Sequence, residues 1–229
     1  AMANQAMIDL TRLNAAMIEE HEWDKYSMAL GILSQANLFI DDQPGQTVSE
    51  IKAKCRKIKR NHGLSLVLID YLGKIRPPHP KMDRYEAVSE NARLLKDMAK
   101  ELDVPVVCLA QLNRTVEHRH DKRPTLADLR DSGEIEQEAD IVAFLYRDDY
   151  YNRNSEKKNI TELILAKHRN GPTGTVEMLF LKQYNRFANL DHQITMSEVR
   201  NEESLASVQL AEEEVYDKWP RPHSRRSTR

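Results

Sequence analysis

The chain has 229 residues, 31% of them charged and 6% aromatic, and its 34 basic and 36 acidic side chains give a formal net charge of -2. That balance excludes a globally basic nucleic-acid coat and leaves room only for a local basic surface. The seven glycines, at positions 31, 45, 63, 73, 133, 171 and 174, are under half the usual ~7% share, and none lies in a G-x-x-x-x-G-K-S/T phosphate loop or a G-x-G-x-x-G turn.

Residues 1–36 read as helical. Leu38-Phe39-Ile40 reads as a short strand ending in Asp41-Asp42, and Gln43-Pro44-Gly45 makes a turn. Thr47 with Glu50 three residues on is a capping box. Val48, Ile51, Cys55 and Ile58 then share one face of a helix that Gly63 ends. Leu64–Ile69 is almost continuously apolar, as in a strand covered on both faces of a parallel sheet. Arg76-Pro77-Pro78-His79-Pro80 is an exposed loop. Val88, Ala92, Leu95, Met98 and Leu102 mark an amphipathic helix, and Val104–Leu109 reads as a second buried strand. Thr125 and Asp128 open a helix-like segment, and Ile141–Leu145 reads as a third long strand. Strand, helix, strand, helix, strand predicts an α/β fold, a mostly parallel sheet flanked by helices.

Beyond Tyr146 the pattern changes. Ile160–Ala166 and Thr175–Leu181 flank Asn170-Gly171-Pro172-Thr173-Gly174 and predict an antiparallel hairpin added to the sheet. The ordered domain is expected to end near Leu190, giving a domain over 1–190 and a charged, flexible tail over 191–229. Residues 198–217 hold seven acids against one arginine, and residues 218–229 hold five basic residues and no acid. No apolar run approaches the ~18 residues of a membrane span, and the N-terminal AMANQAMIDL has no secretory pattern. Cys55 and Cys108, far apart in helix-like and strand-like segments, read as structural thiols of a reduced, cytoplasmic protein. The eight histidines show no metal-ligand spacing, and His118-Arg119-His120 reads as a solvated loop.

Four features can carry chemistry. Asp70 ends the strand Leu66-Val67-Leu68-Ile69, where a carboxylate either caps a turn or holds a magnesium–water shell. Gln111 follows Val104–Ala110 in the same topological place. Its amide is a turn residue or a group that senses a phosphate or a water through both donor and acceptor. Lys167 and Arg169 stand at the start of the hairpin turn with His168 between them. Alternation along an extended segment points the two cations one way and the histidine the other. They are edge charges that deter aggregation or a pair that addresses a triphosphate, in arginine-finger fashion if it belongs to a neighbouring subunit. Arg130-Asp131-Ser132-Gly133 is a solvated loop or a source of donors to phosphates.

Together these blocks resemble the C-terminal, RecA-like motor domain of DnaB-type replicative DNA helicases. The residues that carry the likeness are Leu68-Ile69-Asp70-Tyr71-Leu72, Leu109-Ala110-Gln111-Leu112-Asn113-Arg114, Asp121-Lys122-Arg123-Pro124, the run from Asp128 to Asp140, and the run from Lys167 to Val176. The likeness extends from about Asp9 to about Leu190. It implies ATP and Mg2+ as cofactors, with Asp70 similar to the Walker B aspartate that orders Mg2+. Gln111 is then similar to the glutamine that links nucleotide state to DNA-binding loops. Lys167 and Arg169 are similar to the cations that reach an adjacent subunit's γ-phosphate, and Arg130, Asp131 and Gly133 to the loop that tracks the DNA backbone. The implied partners are single-stranded DNA, further helicase subunits in a hexameric ring, and a primase or helicase loader, in a bacterial or phage-infected cytoplasm.

The chain also departs from the pattern. A phosphate loop and a water-activating glutamate stand, in the family, before the region matched by Asp9, and neither motif occurs in these 229 residues. The family's N-terminal domain and linker helix are likewise without a match. Gly73-Lys74 follows Leu72 where a glutamine is usual, and His168 replaces a common glutamine. Without a lysine and a backbone nest on the β- and γ-phosphates, this chain alone is expected to be deficient in ATPase. The alternative reading is a non-catalytic binding module that joins or regulates a full-length helicase ring.

Overall fold

The apolar period of residues 88–102 is realised as the central helix of the molecule. The structure, a computed structural model, describes residues 1–129 and 133–190. The chain starts with three helices, α1 (Met2–Ala6), α2 (Leu10–Asn14) and α3 (Trp23–Gln35). The helical stretch expected over 1–36 is therefore broken, and the breaks have local causes. Met7 and Ala16 take positive φ, and the Asp9 carboxylate accepts the N–H groups of Thr11 and Arg12 to start α2 afresh. Ala6, Ile8 and Ala29 pack into a small apolar cluster, and Arg12 donates two hydrogen bonds, 3.2 and 2.8 Å, to Glu22. Leu38-Phe39-Ile40, expected as a strand, pairs with no strand among the described residues and is exposed.

Helix α4 (Val48–His62) begins at the expected capping box, with Thr47 and Glu50 each accepting from the other's backbone, and ends at Gly63 with φ 79°. It is followed by β1 (Val67–Ile69), α5 (Arg84–Leu102) and β2 (Val106–Cys108). β1 and β2 pair in parallel, Val67 opposite Val106 and Ile69 opposite Cys108. One core joins these elements: Val48 and Cys55 of α4, Val67 of β1, Leu95, Met98 and Leu102 of α5, and Leu72, Ile75 and Val104 beside them. Met98 is 0% exposed. Met98→Ala is therefore expected to cost about 3 kcal/mol in urea unfolding, with the fold retained.

The chain continues through α6 (Gly133–Glu138), β3 (Ile141–Tyr146), α7 (Asp148–Tyr151), β4 (Ile160–His168), β5 (Gly174–Leu181) and β6 (Arg186–Asn189). The four strands form an antiparallel sheet in the order β3-β4-β5-β6. The hairpin β4–β5 is the expected one, with Leu165 opposite Gly174.

Two details of the expected sheet are corrected. Among the described residues parallel pairing is confined to β1–β2, and β3 pairs antiparallel with β4 instead of extending the parallel sheet. The apolar runs also promised cover on both faces, yet Leu66, Leu68, Val107 and Leu109 are exposed, as are Ile141 and Leu145. An apolar run records that a strand is suited to burial, not which neighbour covers it. The class is α/β as expected. No helix among the described residues is long and apolar enough to cross a membrane. The expected tail, 191–229, lies outside the described residues.

Candidate functional site

Asp70 is the first residue beyond β1, exposed, and joined to Tyr71 by a cis peptide bond. The backbone around it is well tied: the Leu109 N–H donates to Ile69 O at 3.0 Å, and the Leu72 N–H donates to Leu109 O at 2.9 Å. Buried Asn91 of α5 donates from Nδ2 to Ile75 O at 3.2 Å and so holds the end of the turn that follows Asp70. Gln111, three residues beyond the last residue of β2, is also exposed. Parallel pairing of β1 with β2 places both residues at the carboxyl ends of neighbouring strands, where ligands of open α/β sheets sit. A shallow cleft there is lined by Tyr71, Gly73, Arg84, Gln111 and Ile135.

The Asp70 carboxylate has no hydrogen bond or ion pair among the described residues. No group of three His, Cys, Asp or Glu side chains stands ready to hold a metal among those residues. A lone, solvated carboxylate fits a magnesium ion that keeps most of its waters and takes its other ligands from a phosphate. The residues present thus fit the outer shell of such an ion. They do not fit the α/β-phosphate end of a nucleotide, for which the sequence holds no glycine-rich nest.

Downstream of Gln111 the chain turns directly into the second expected site. Leu112 makes an antiparallel bridge with Leu129, and the Asn113 N–H donates to Asp128 O at 2.8 Å. Asp128 is buried and closes the capping box with Thr125. Burial alone would raise its carboxyl, but hydrogen bonds from Thr125 and Arg119 outweigh it and hold the group below the usual range. Arg130 and Asp131 lie outside the described residues. Gly133 is the exposed first residue of α6, and a Cβ there would meet only open space.

The cations are placed by a bulge. Val142 pairs with Lys167 but Ala143 pairs with Leu165, so the β3–β4 register slips beside Lys167; such bulges re-aim side chains at sheet edges. Lys167 and Arg169 do face one way. Lys167 donates to the carbonyl oxygens of Glu136 and Gln137, and Arg169 donates to Gln137 O at 3.0 Å and lies 3.5 Å from Asp140. Asp140 is also paired with Lys96 of α5, and these cations hold its carboxyl below the usual range. His168 faces the other way, its Nδ1 3.3 Å from Pro172 O. Its ring fills the space beside Gly171, where any Cβ would come within 2.5 Å.

An ion pair not foreseen in the sequence ties these parts together. Glu162 of β4 is 5% exposed, and Arg123 holds it through a fork of two hydrogen bonds, 2.7 and 2.8 Å. The guanidinium also lies 4.7 Å over the Tyr146 ring. The signal was a single acid in the apolar run Ile160–Ala166, since a buried carboxylate needs a partner. Arg123 pulls the Glu162 carboxyl below the usual glutamate range. A depressed folded pKa contributes stability that is fully present above the unfolded value, about 4.3, and is lost as pH falls through the folded one. Glu162→Gln is thus expected to cost about 1–2 kcal/mol at pH 7, given the half-exposed arginine. The gap to the wild type should hold down to about pH 5 and narrow only as unfolding is measured at about pH 4 and then about pH 3.

The sequence profile of the DnaB-like helicase C terminal domain matches residues 1–189. The chain is 51% identical over 193 residues to the replicative DNA helicase DnaB of Geobacillus stearothermophilus, covering 84% of this chain and 42% of that protein. It is 54% identical over 185 residues to the replicative DNA helicase DnaC of Bacillus subtilis, covering 80% of this chain and 41% of that protein. A solved structure of a DnaB-like replicative helicase, described with its interactions with primase, superposes with a TM-score of 0.80. It is 48% identical, covering 83% of this chain and 46% of that one. The chain therefore spans about two fifths of the length of the curated relatives it matches.

Proposed function

The chain belongs to the DnaB-like helicase C-terminal domain family, and from that premise we propose that it forms the C-terminal part of a replicative DNA helicase. In this reading the whole protein couples ATP hydrolysis at subunit interfaces to translocation on single-stranded DNA and to duplex unwinding. The observation that carries it is that Asp70, whose carboxylate has no partner among the described residues, and Gln111 stand beyond the carboxyl ends of neighbouring parallel strands. The chain beyond Gln111 runs straight into the bridge with Leu129, which precedes the DNA-facing residues.

Asp70 holds the water shell of Mg2+, and the ion, when bound, neutralises charge on the β- and γ-phosphate oxygens. Gln111 offers its amide to the terminal phosphate or the attacking water and passes the state of that contact to the Leu112–Leu129 pairing. Lys167 and Arg169 serve the neighbouring subunit, donating to its γ-phosphate as charge-assisted hydrogen bonds that strengthen as the bond breaks. Arg130, Asp131 and Gly133 follow the DNA backbone, a role that needs only local positive potential and so fits a chain of net charge -2. The assembled ring, hexameric in this reading, works with a primase or helicase loader in a bacterial or phage-infected cytoplasm.

These roles give the chain the γ-phosphate side of one site and the magnesium side of the next, but no cradle for the α- and β-phosphates. The 229-residue polypeptide alone is therefore expected to release no phosphate from ATP above background. A chimera in which it replaces the C-terminal part of a full-length replicative helicase is expected to hydrolyse ATP in a DNA-stimulated way. Turnover by the isolated chain that Asp70→Asn abolishes, or an inactive but assembled chimera, contradicts the reading.

A further inference from the structure

Helix α6 touches both halves of the site. Ile135 lines the cleft beside Gln111, and the carbonyls of Glu136 and Gln137 are the acceptors for Lys167 and Arg169. A six-residue helix is far below the ~12 residues at which an isolated helix becomes even marginal in water, and its last carbonyls have no partner within the helix. Of those, Ile135 O accepts the Ala139 N–H at 3.0 Å, and the next two accept from the cations. Glu134, Glu136 and Glu138 add negative charge along the helix. The Glu134/Glu138 spacing is mutually repulsive, and an acid in the last turn opposes the helix dipole. The two cations thus supply the C-terminal cap and the charge balance on which α6 depends.

We propose that Lys167 and Arg169 are the cap of α6 and exchange it for phosphate, so that an anion drawing them away releases α6 from its docked position. The inference rests on the reading of these two residues as phosphate-facing. The exchange is driven by donor strength: a hydrogen bond from a cation to a charged phosphate oxygen is about twice as strong as one to a neutral carbonyl. Lys167 holds the Glu136 and Gln137 carbonyls and Arg169 the Gln137 carbonyl, so a phosphate that draws either side chain out of the hairpin's resting geometry breaks those bonds. Release is confined to this end of the element. The segment before it stays fixed to β4 through Arg123 and buried Glu162, a pair no phosphate role calls upon. The state of the hairpin is thereby felt at Ile135 beside Gln111, and at Gly133.

Amide hydrogen exchange on the full 229-residue chain at low ionic strength tests this, with inorganic tripolyphosphate as the anion. Triphosphate is expected to speed exchange across residues 135–139 by about tenfold and saturably, leaving residues 119–128 and the β4–β5 amides unchanged. Sodium chloride at equal ionic strength should do much less. In the Lys167→Ala/Arg169→Ala double variant, exchange of α6 should be fast from the start and indifferent to triphosphate. Equal protection of α6 in the double variant, or sodium chloride as effective as triphosphate, overturns the exchange of partners. An undiminished ATPase of the chimera carrying Arg169→Ala instead overturns the phosphate role itself, and the inference with it.

Discussion

Arg169→Ala in the chimeric ring is expected to lower kcat for ATP hydrolysis by about 10³-fold, the low end of what a trans arginine supplies to phosphoryl transfer, with little change in KM. Arg169 is on the hairpin edge, half exposed, and its contacts in this chain are a backbone carbonyl at 3.0 Å and the Asp140 carboxylate at 3.5 Å, a pair that solvent screens. Little folding stability is at stake there, so the loss should fall on the transition state, the signature of lower kcat at constant KM. Arg169→Lys should recover little, because lysine lacks the planar fork that engages two phosphate oxygens. Lys167→Ala should be milder, since that ammonium is a point charge.

Asp70→Asn is the second large effect, about 10²-fold in kcat with a higher Mg2+ concentration needed for half-maximal rate. Asparagine keeps the shape and the turn but loses the charge that orients the ion's waters. Because Asp70 is exposed and its carboxylate is unpartnered among the described residues, the same substitution should leave the unfolding midpoint within the ±0.5 kcal/mol of an ordinary surface change. A stability loss comparable with the loss of rate would instead mark Asp70 as a turn cap.

How far these parts could be read from sequence depended on the kind of signal. Local signals carried through: the Thr47–Glu50 box, the stop at Gly63, the apolar face of α5 and the Gly-rich hairpin turn each act within a few residues. Pairing did not carry through. Ile141–Leu145 has the composition of a buried strand whether its neighbour is parallel or antiparallel, and its partner β4 lies some twenty residues on. Leu38-Phe39-Ile40 shows the same limit, because three apolar residues make a strand only where an edge is free to receive them.

The site divides in the same way. The places of Asp70 and Gln111 beyond neighbouring strand ends were legible because each polar residue directly follows an apolar run. The facing of Lys167 and Arg169 followed from alternation. Their acceptors were hidden, because the carbonyls of Glu136 and Gln137 belong to the backbone and leave no trace in residue type. Arg123 stood in a motif block without a role, and only the three-dimensional approach of Glu162 explains it.

The central claim is that Asp70 and Arg169 act in one catalytic site but come from different subunits. Co-assembly of two chimeric rings, one carrying Asp70→Asn and the other Arg169→Ala, tests it directly through steady-state ATPase across mixing ratios. In a head-to-tail ring, about a quarter of the interfaces in an equal mixture join an intact Asp70 to an intact Arg169. Activity well above either variant alone, with its maximum near equal mixing, is the predicted result. Mixed rings no more active than their parents at any ratio would place both residues in a single subunit's site and contradict the account.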